Sequence, residues 1–163
     1  MGWQRSSSKS STSSSFLVEE RGLARELYAN GERRPESSAQ HLFYAVAHSY
    51  CLANDIDITP EAETGRSPVD FKASQGFKAR VLVEIKLSDN SKLEAGYASQ
   101  LGAYRTAEQT TRAYYVVIDI DGKLAARAPK LYDKKVVAEK MGYRASKIVA
   151  IDGGVKPSAS KLR

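Results

Sequence analysis

The chain reads as one α/β domain, a mixed β-sheet flanked by α-helices, and three observations predict this. Its 163 residues, 42% of them hydrophobic, suffice for one core and are too few for two domains of ordinary size. Helical and strand-like periodicities alternate along the chain, the pattern of a sheet covered by helices. A tight hairpin interrupts that alternation, so some strands pair antiparallel while the others are joined through helices.

The elements follow in order. Residues 1–15 contain eight serines and bury too little apolar surface to offset the entropy of ordering them, so they read as a flexible linker or tail. Such a stretch also suits tethering to a larger protein. The single domain is expected over 16–155, with a basic tail at 156–163. "FLVEERGLARELYANG" reads as an amphipathic helix stopped by Asn30-Gly31. A second helix starts near Pro35 and runs to about Ala53, with Ala39, Leu42, Phe43, Val46 and Tyr50 as its inward stripe. Glu36 and Gln40 lie on the side leading into Phe43 and meet the edge of the core.

Ile56 to Glu63 is irregular and strand-like, and "GRSP" supplies a turn. "PVDFKAS" and "ARVLVEIKLS" form a hairpin around "QGFK". Asp89, Asn90 and Ser91 end the second strand, and Ser91 with Glu94 makes a capping box for a helix through about Thr110. On that helix Leu93, Tyr97, Leu101 and Tyr104 face inward, with Gln100 on the same side. "RAYYVVIDIDG" is apolar on both faces and belongs in the sheet interior, so Tyr114 and Tyr115 read as packing residues rather than base-stacking platforms. A helix over about Ala128 to Met141 and the strand "SKIVAIDG" complete the order.

The single cysteine, Cys51, excludes an internal disulfide framework and any cysteine-rich zinc site, and reads as a buried thiol in a reducing cytoplasm. No apolar run reaches the roughly 18 residues of a membrane span. A net charge of +6 suits a polyanionic partner, nucleic acid above all. It serves solubility equally well. The C-terminal "RASKIVAIDGGVKPSASKLR", with five basic residues against Asp152, is either a backbone-contacting segment or a solvated tail.

One stretch, "VEIKLSDN", departs from ordinary packing. Alternation sends Val81, Val83, Ile85 and Leu87 to the core and places Glu84 and Lys86 together on the other face, about 7 Å apart at a rise of roughly 3.3 Å per residue. A hairpin turning near Phe77 sets Asp70 opposite Glu84, with Val69 and Phe71 on the face away from it. Opposed carboxylates repel on a semi-buried sheet face, and a divalent cation resolves the conflict. Hard oxygen donors without a His or Cys cluster favour Mg²⁺ or Mn²⁺, and the Lys86 ammonium then has a role in holding water or stabilising phosphate charge. The alternative is an ion pair on an exposed strand, with Asp70 merely finishing a turn.

Taken together, "GRSPVDF" with Asp70, "VLVEIKLS" with Glu84 and Lys86, and "QLGAY" with Gln100 and Tyr104 resemble the PD-(D/E)XK nuclease superfamily, of restriction-endonuclease-like fold. The last motif looks like the Gln-X-X-X-Tyr motif of RecB-like members. The resemblance covers about Glu36 to Asp121, and Pro68 stands two residues before Asp70 instead of beside it. It implies metal-dependent phosphodiester cleavage of DNA, by an endonuclease, as the effector module of a defence, repair or mobile-element protein. Asp70 and Glu84 are then Mg²⁺ ligands, Lys86 orients or activates the attacking water, and Gln100 and Tyr104 position the substrate strand and the lysine. Many members add an acid or a histidine from the first core helix. Glu36, which shares that inward face, is the better candidate for this further metal ligand, or else only complements the positive end of its helix; His41 points a quarter-turn or more away, and His48 reads as a surface or boundary residue. Two alternatives stay open: a structure-selective enzyme such as a Holliday-junction resolvase, working as a homodimer, and a non-catalytic binding or assembly module on the same fold.

Overall fold

The computed structural model describes residues 13–63, 68–76, 79–98 and 112–156, with side chains left out at 13, 14, 62, 63 and 68. The elements are α1 (Ser13–Glu20), a 3-10 turn (Leu23–Leu27), β1 (Tyr28–Ala29), β2 (Glu32–Arg33), α2 (Glu36–Ala53), β3 (Asp57–Glu63), β4 (Pro68–Gln75), β5 (Ala79–Leu87), α3 (93–98 as described), β6 (Arg112–Asp119), α4 (Leu124–Lys140) and β7 (Lys147–Asp152). Five strands form one sheet in the order β3-β4-β5-β6-β7. β3, β4 and β5 pair antiparallel, while β5, β6 and β7 pair parallel. The chain is therefore a mixed α/β fold, as the interleaved periodicities predict.

Each sheet face carries its own core. On one, Val18, Ala24, Leu27 and Ala39 from the N-terminal elements pack on Phe71, Ile85, Leu87, Val116, Ile118 and Ile151. On the other, Leu93, Tyr97, Leu124 and Leu131 from α3 and α4 cover Tyr115 and Val117. The alternation of β6 between the two clusters explains its apolar character on both faces. Tyr114 packs against the first cluster and Tyr115 is buried in the second, both as expected. Cys51 is buried, and burial raises its thiol pKa. Among the described residues no helix is long and apolar enough to cross a membrane.

Several sequence expectations are corrected. Asn30-Gly31 does not stop a helix. Both residues have positive φ, 53° and 81°, and form the tip of the β1–β2 hairpin, pairing Tyr28 with Arg33 and Ala29 with Glu32. Two consecutive left-handed residues match the right-handed twist of a two-residue hairpin, and that demand outweighs helix propensity here. The helix has already ended at Glu20, with Gly22 at φ 77° opening the 3-10 turn. Tyr50 is 64% exposed and off the inward stripe, which reaches the last turn of α2 at the buried Cys51 instead. The Ser91–Glu94 capping box does not form. Asn90 Oδ1 accepts from the Lys92 amide, and the Glu94 carboxylate is drawn to Arg127 instead. α4 begins four residues before Ala128 and carries Pro129 inside it, so the Ala125 carbonyl lacks its usual donor.

Gly31→Ala is expected to cost about 1 kcal/mol, read as a lower urea midpoint at unchanged slope, because alanine pays for the left-handed conformation that glycine adopts freely.

Candidate functional site

The β4–β5 register, with Phe71 opposite Val83 and Lys72 opposite Leu82, is the one the hairpin turn predicts. It brings Asp70 alongside Glu84, but the ladder stops at Phe71 and Val83. Beyond that point side chains replace it: Asp70 Oδ2 accepts from the Ile85 amide at 2.7 Å, and the Asp70 amide donates to Glu84 Oε2 at 3.4 Å.

Here the structure corrects the strict alternation expected of β4. Val69 packs with Leu82 and Ala113, whereas Phe71 joins the opposite cluster and lies tilted against Phe43, ring centres 4.9 Å apart. Val69 and Phe71 therefore do not share a face, so the strand rotates at Asp70. The neighbouring strand is irregular at the same level: Pro60 pairs with Phe71 and Ala62 with Val69, and Glu61 between them has φ 48°. A left-handed glutamate costs backbone energy, about 1 kcal/mol, and the local break turns Asp70 out of the ladder toward the sheet's end.

Glu84 is 6% exposed. Its Oε1 lies 2.7 Å from Lys86 Nζ, and Tyr115 is its cross-strand neighbour on β6. Lys86 Nζ also reaches Glu36 Oε1 at 3.1 Å. Glu36, in the first turn of α2, accepts through Oε2 from the Leu87 amide and from Asn90 Nδ2, both at 3.0 Å. One turn later Gln40 Nε2 donates to Asp70 Oδ1 at 2.8 Å. Two residues four apart on one helix face thus clamp two different parts of the cluster.

The electrostatics follow. Burial pushes the Asp70 carboxyl up to about 6, the Glu84 charge adds to the rise, and the Ile85 amide, Lys86 and Gln40 oppose it. Burial alone lowers the ammonium pKa of Lys86, but Glu84, Asp70 and Glu36 more than offset that and hold it above the ordinary lysine range. Lys86 is a permanent cation near neutral pH. Burial and then the surrounding carboxylates also raise the phenol of Tyr115, whose hydroxyl donates to the Leu93 carbonyl at 2.8 Å.

Residues 8–122 match the model of a family described as Domain of unknown function (DUF8371), more than half of the chain. The chain belongs to this family. The matched part of the DUF8371 domain contains Glu36, Asp70, Glu84 and Lys86 and ends before α4 and β7. No curated protein and no solved structure matches the chain.

Of the residues singled out in the sequence, the structure joins Asp70, Glu84, Lys86 and Glu36 in one cluster. Gln100 and Tyr104 lie outside the described residues. His41 and His48 are exposed, and His48 contacts only the Tyr44 ring among the described aromatics. Glu36 arrives as a second counter-ion of Lys86, and like Asp70 and Glu84 it has both oxygens engaged within the cluster. Among the described residues no three His, Cys, Asp or Glu side chains converge as a ready metal cage. The donor chemistry still fits Mg²⁺, which keeps most of its waters and is commonly bound through one or two carboxylates. Asp70 and Glu84 provide such a pair, and the raised Asp70 pKa marks a place where added positive charge is favourable.

Sequence reading missed Gln40 and Asn90 as members of this cluster, and Arg127, outside the matched part, as the tie between α4 and the turn after β5. Arg127 bonds Glu94 through Nε at 2.7 Å and the Ser88 and Asn90 carbonyls through one NH₂ group at 2.6 and 2.8 Å. The four-residue spacing of Glu36 and Gln40 was a usable signal. Arg127 offered none, since its partners lie more than 30 residues away.

Proposed function

We propose that this domain is a Mg²⁺-dependent nuclease hydrolysing phosphodiester bonds of DNA, with Mn²⁺ as a substitute, and that it works in the cytoplasm. The observation that supports this best is the meeting of Asp70 and Glu84 beside Lys86 where the β4–β5 ladder gives way. Asp70 and Glu84 would hold the ion, which when bound lowers the pKa of water and neutralises phosphate charge. Glu36 pairs with Lys86 as Glu84 does, and stands beside the pair as the further metal ligand that the superfamily resemblance implies.

The residues of the chain account for the remaining chemistry. Lys86, held protonated, donates to the attacking water or to a non-bridging phosphate oxygen and does not act as the base. Negative charge builds on the non-bridging oxygens as water adds to phosphorus and on the leaving oxygen as its P–O bond breaks, and a fixed ammonium in a partly buried site stabilises it at little reorganisation cost. Gln40 and the Ile85 amide each bond one Asp70 oxygen, which fixes the plane of that carboxylate. Asn90 and the Leu87 amide anchor Glu36, which in turn limits where Lys86 Nζ can lie.

The test is incubation with supercoiled, linear, single-stranded and branched DNA, and with RNA, in Mg²⁺, Mn²⁺ or EDTA. Cutting is expected only with metal, and Glu84→Gln is expected to lower it at least about 10²-fold. If the wild type cuts none of these substrates, the nuclease reading is wrong.

A further inference from the structure

We infer that the groove between the start of α3 and α4 takes the phosphate backbone of an extended polynucleotide, so that the substrate is held away from the carboxylate cluster as well as at it. For its chemistry this rests on the nuclease reading, but the binding it describes does not.

The groove encloses about 710 Å³ and is lined by Ser91 and Glu94 on one wall and by Arg127, Lys130, Asp133 and Lys134 on the other. Its charges are unequal in availability. Arg127 is spent on Glu94 and on two backbone carbonyls, so these two lining charges cancel each other. Lys130 and Lys134 are exposed and stand four apart on one face of α4, and neither forms an ion pair among the described residues. Asp133 is the one remaining carboxylate against two ammoniums in this lining. An anion entering the groove meets cations that need not first break a bond.

The position relative to the cluster strengthens the inference. The turn at residues 88–91 forms part of both. Asn90 holds Glu36 through its amide and Arg127 through its carbonyl, and the next residue, Ser91, lines the groove. A strand with its scissile phosphate beside Lys86 therefore reaches Lys130 and Lys134 by continuing past this turn. A lone phosphodiester fills the cluster and leaves the groove empty. The site thus selects for a polymer over a small ester, and α4 provides that selection.

The experiment compares wild type with Lys130→Ala/Lys134→Ala, and with Lys140→Ala/Lys147→Ala as an equal charge loss elsewhere. All four lysines are exposed; Lys130, Lys134 and Lys140 lie in α4, where alanine is well tolerated, and Lys147 opens β7. Binding to a labelled 20-base-pair duplex is followed by anisotropy in EDTA across a salt series, and metal-dependent cleavage is followed on the same duplex and on bis(p-nitrophenyl) phosphate.

The groove variant is expected to bind the duplex about tenfold more weakly near 0.1 M salt and to lose about 2 from the slope of log affinity against log salt, with the control pair nearly unchanged. Its cleavage of the duplex should show a raised KM, and its cleavage of the small ester should equal that of the wild type. Equal duplex affinity and slope in wild type and groove variant overturn the inference, as does an equal loss in the control pair or a wild type that does not bind. Weakened binding without cutting by any form supports the groove and overturns the nuclease reading alone.

Discussion

Asp70→Asn is expected to raise the melting temperature of the metal-free domain at pH 8 and, on the nuclease proposal, to abolish metal-dependent cleavage. The carboxyl of Asp70 titrates at about 6 in the fold, against an unfolded value near the ordinary aspartate one, because burial and the neighbouring Glu84 charge disfavour ionisation. A folded pKa above the unfolded one contributes stability that is fully present below the unfolded pKa. That contribution is lost as pH rises through the folded pKa. The window is therefore about pH 4 to 7, and above it the wild type bears the full cost of a crowded carboxylate. A shift of this size corresponds to roughly 2 kcal/mol after allowance for partial solvent access, or about 5 °C in Tm for a domain of this length. Asparagine keeps an acceptor for the Ile85 amide and carries no charge, so the variant gains stability at pH 8 and little or none at pH 4. Scanning calorimetry of both proteins in EDTA at the two pH values checks this. Equal Tm differences at pH 4 and pH 8 would show that the Asp70 charge is not the source. Added Mg²⁺ is expected to raise the wild-type Tm and leave Asp70→Asn unmoved, as linkage requires for a ligand held by that carboxylate.

The second large effect has the opposite sign. Lys86→Met is expected to destabilise the domain by about 3–5 kcal/mol, because it takes the paired cation away from the buried Glu84 carboxylate and removes one partner of Glu36. The lysine's raised pKa means that its contribution is fully present below the unfolded value of about 10.4 and is lost only above it. The deficit should therefore be similar at pH 6 and pH 8, unlike the response of Asp70→Asn. Glu84→Gln/Lys86→Met is expected to regain most of the stability, since it removes both charges, and none of the cleavage. Urea unfolding of the wild type and the two variants checks this. A double variant as unstable as Lys86→Met would mean that the lost stem packing, and not the loss of the cation beside Glu84, sets the cost. For the same reason inactivity of a Lys86 variant alone says little about catalysis, whereas Asp70→Asn separates activity from folding.

The two predictions differ because, among the described residues, the cluster holds three carboxylates, Glu36, Asp70 and Glu84, around one ammonium. Natural folds keep such an imbalance where function compensates for it, and here the compensation proposed is a bound cation and a phosphate. Glu61, left-handed beside the rotated Asp70, fits the same pattern of local cost concentrated at one end of the sheet.

Period-two alternation by itself placed Glu84 and Lys86 on one face of a strand, and the hairpin set Asp70 alongside Glu84. Both are local matters, decided within about 20 residues by strand geometry and turn position. Apolar periodicity likewise made the mixed sheet and its helical cover legible. Only the tertiary structure decided that Glu36 reaches Lys86 and that Gln40 reaches Asp70, across 50 and 30 residues. It also decided that β4 rotates at Asp70, and that Arg127 ties α4 to the turn after β5. Asn30-Gly31 shows the limit even at short range, since the same pair serves as a helix stop or a hairpin tip until packing selects one. Local periodicity states which face a side chain leaves from. Which distant group meets it there depends on how α2 and α4 settle on opposite faces of the sheet, and that is fixed by burial of the whole core.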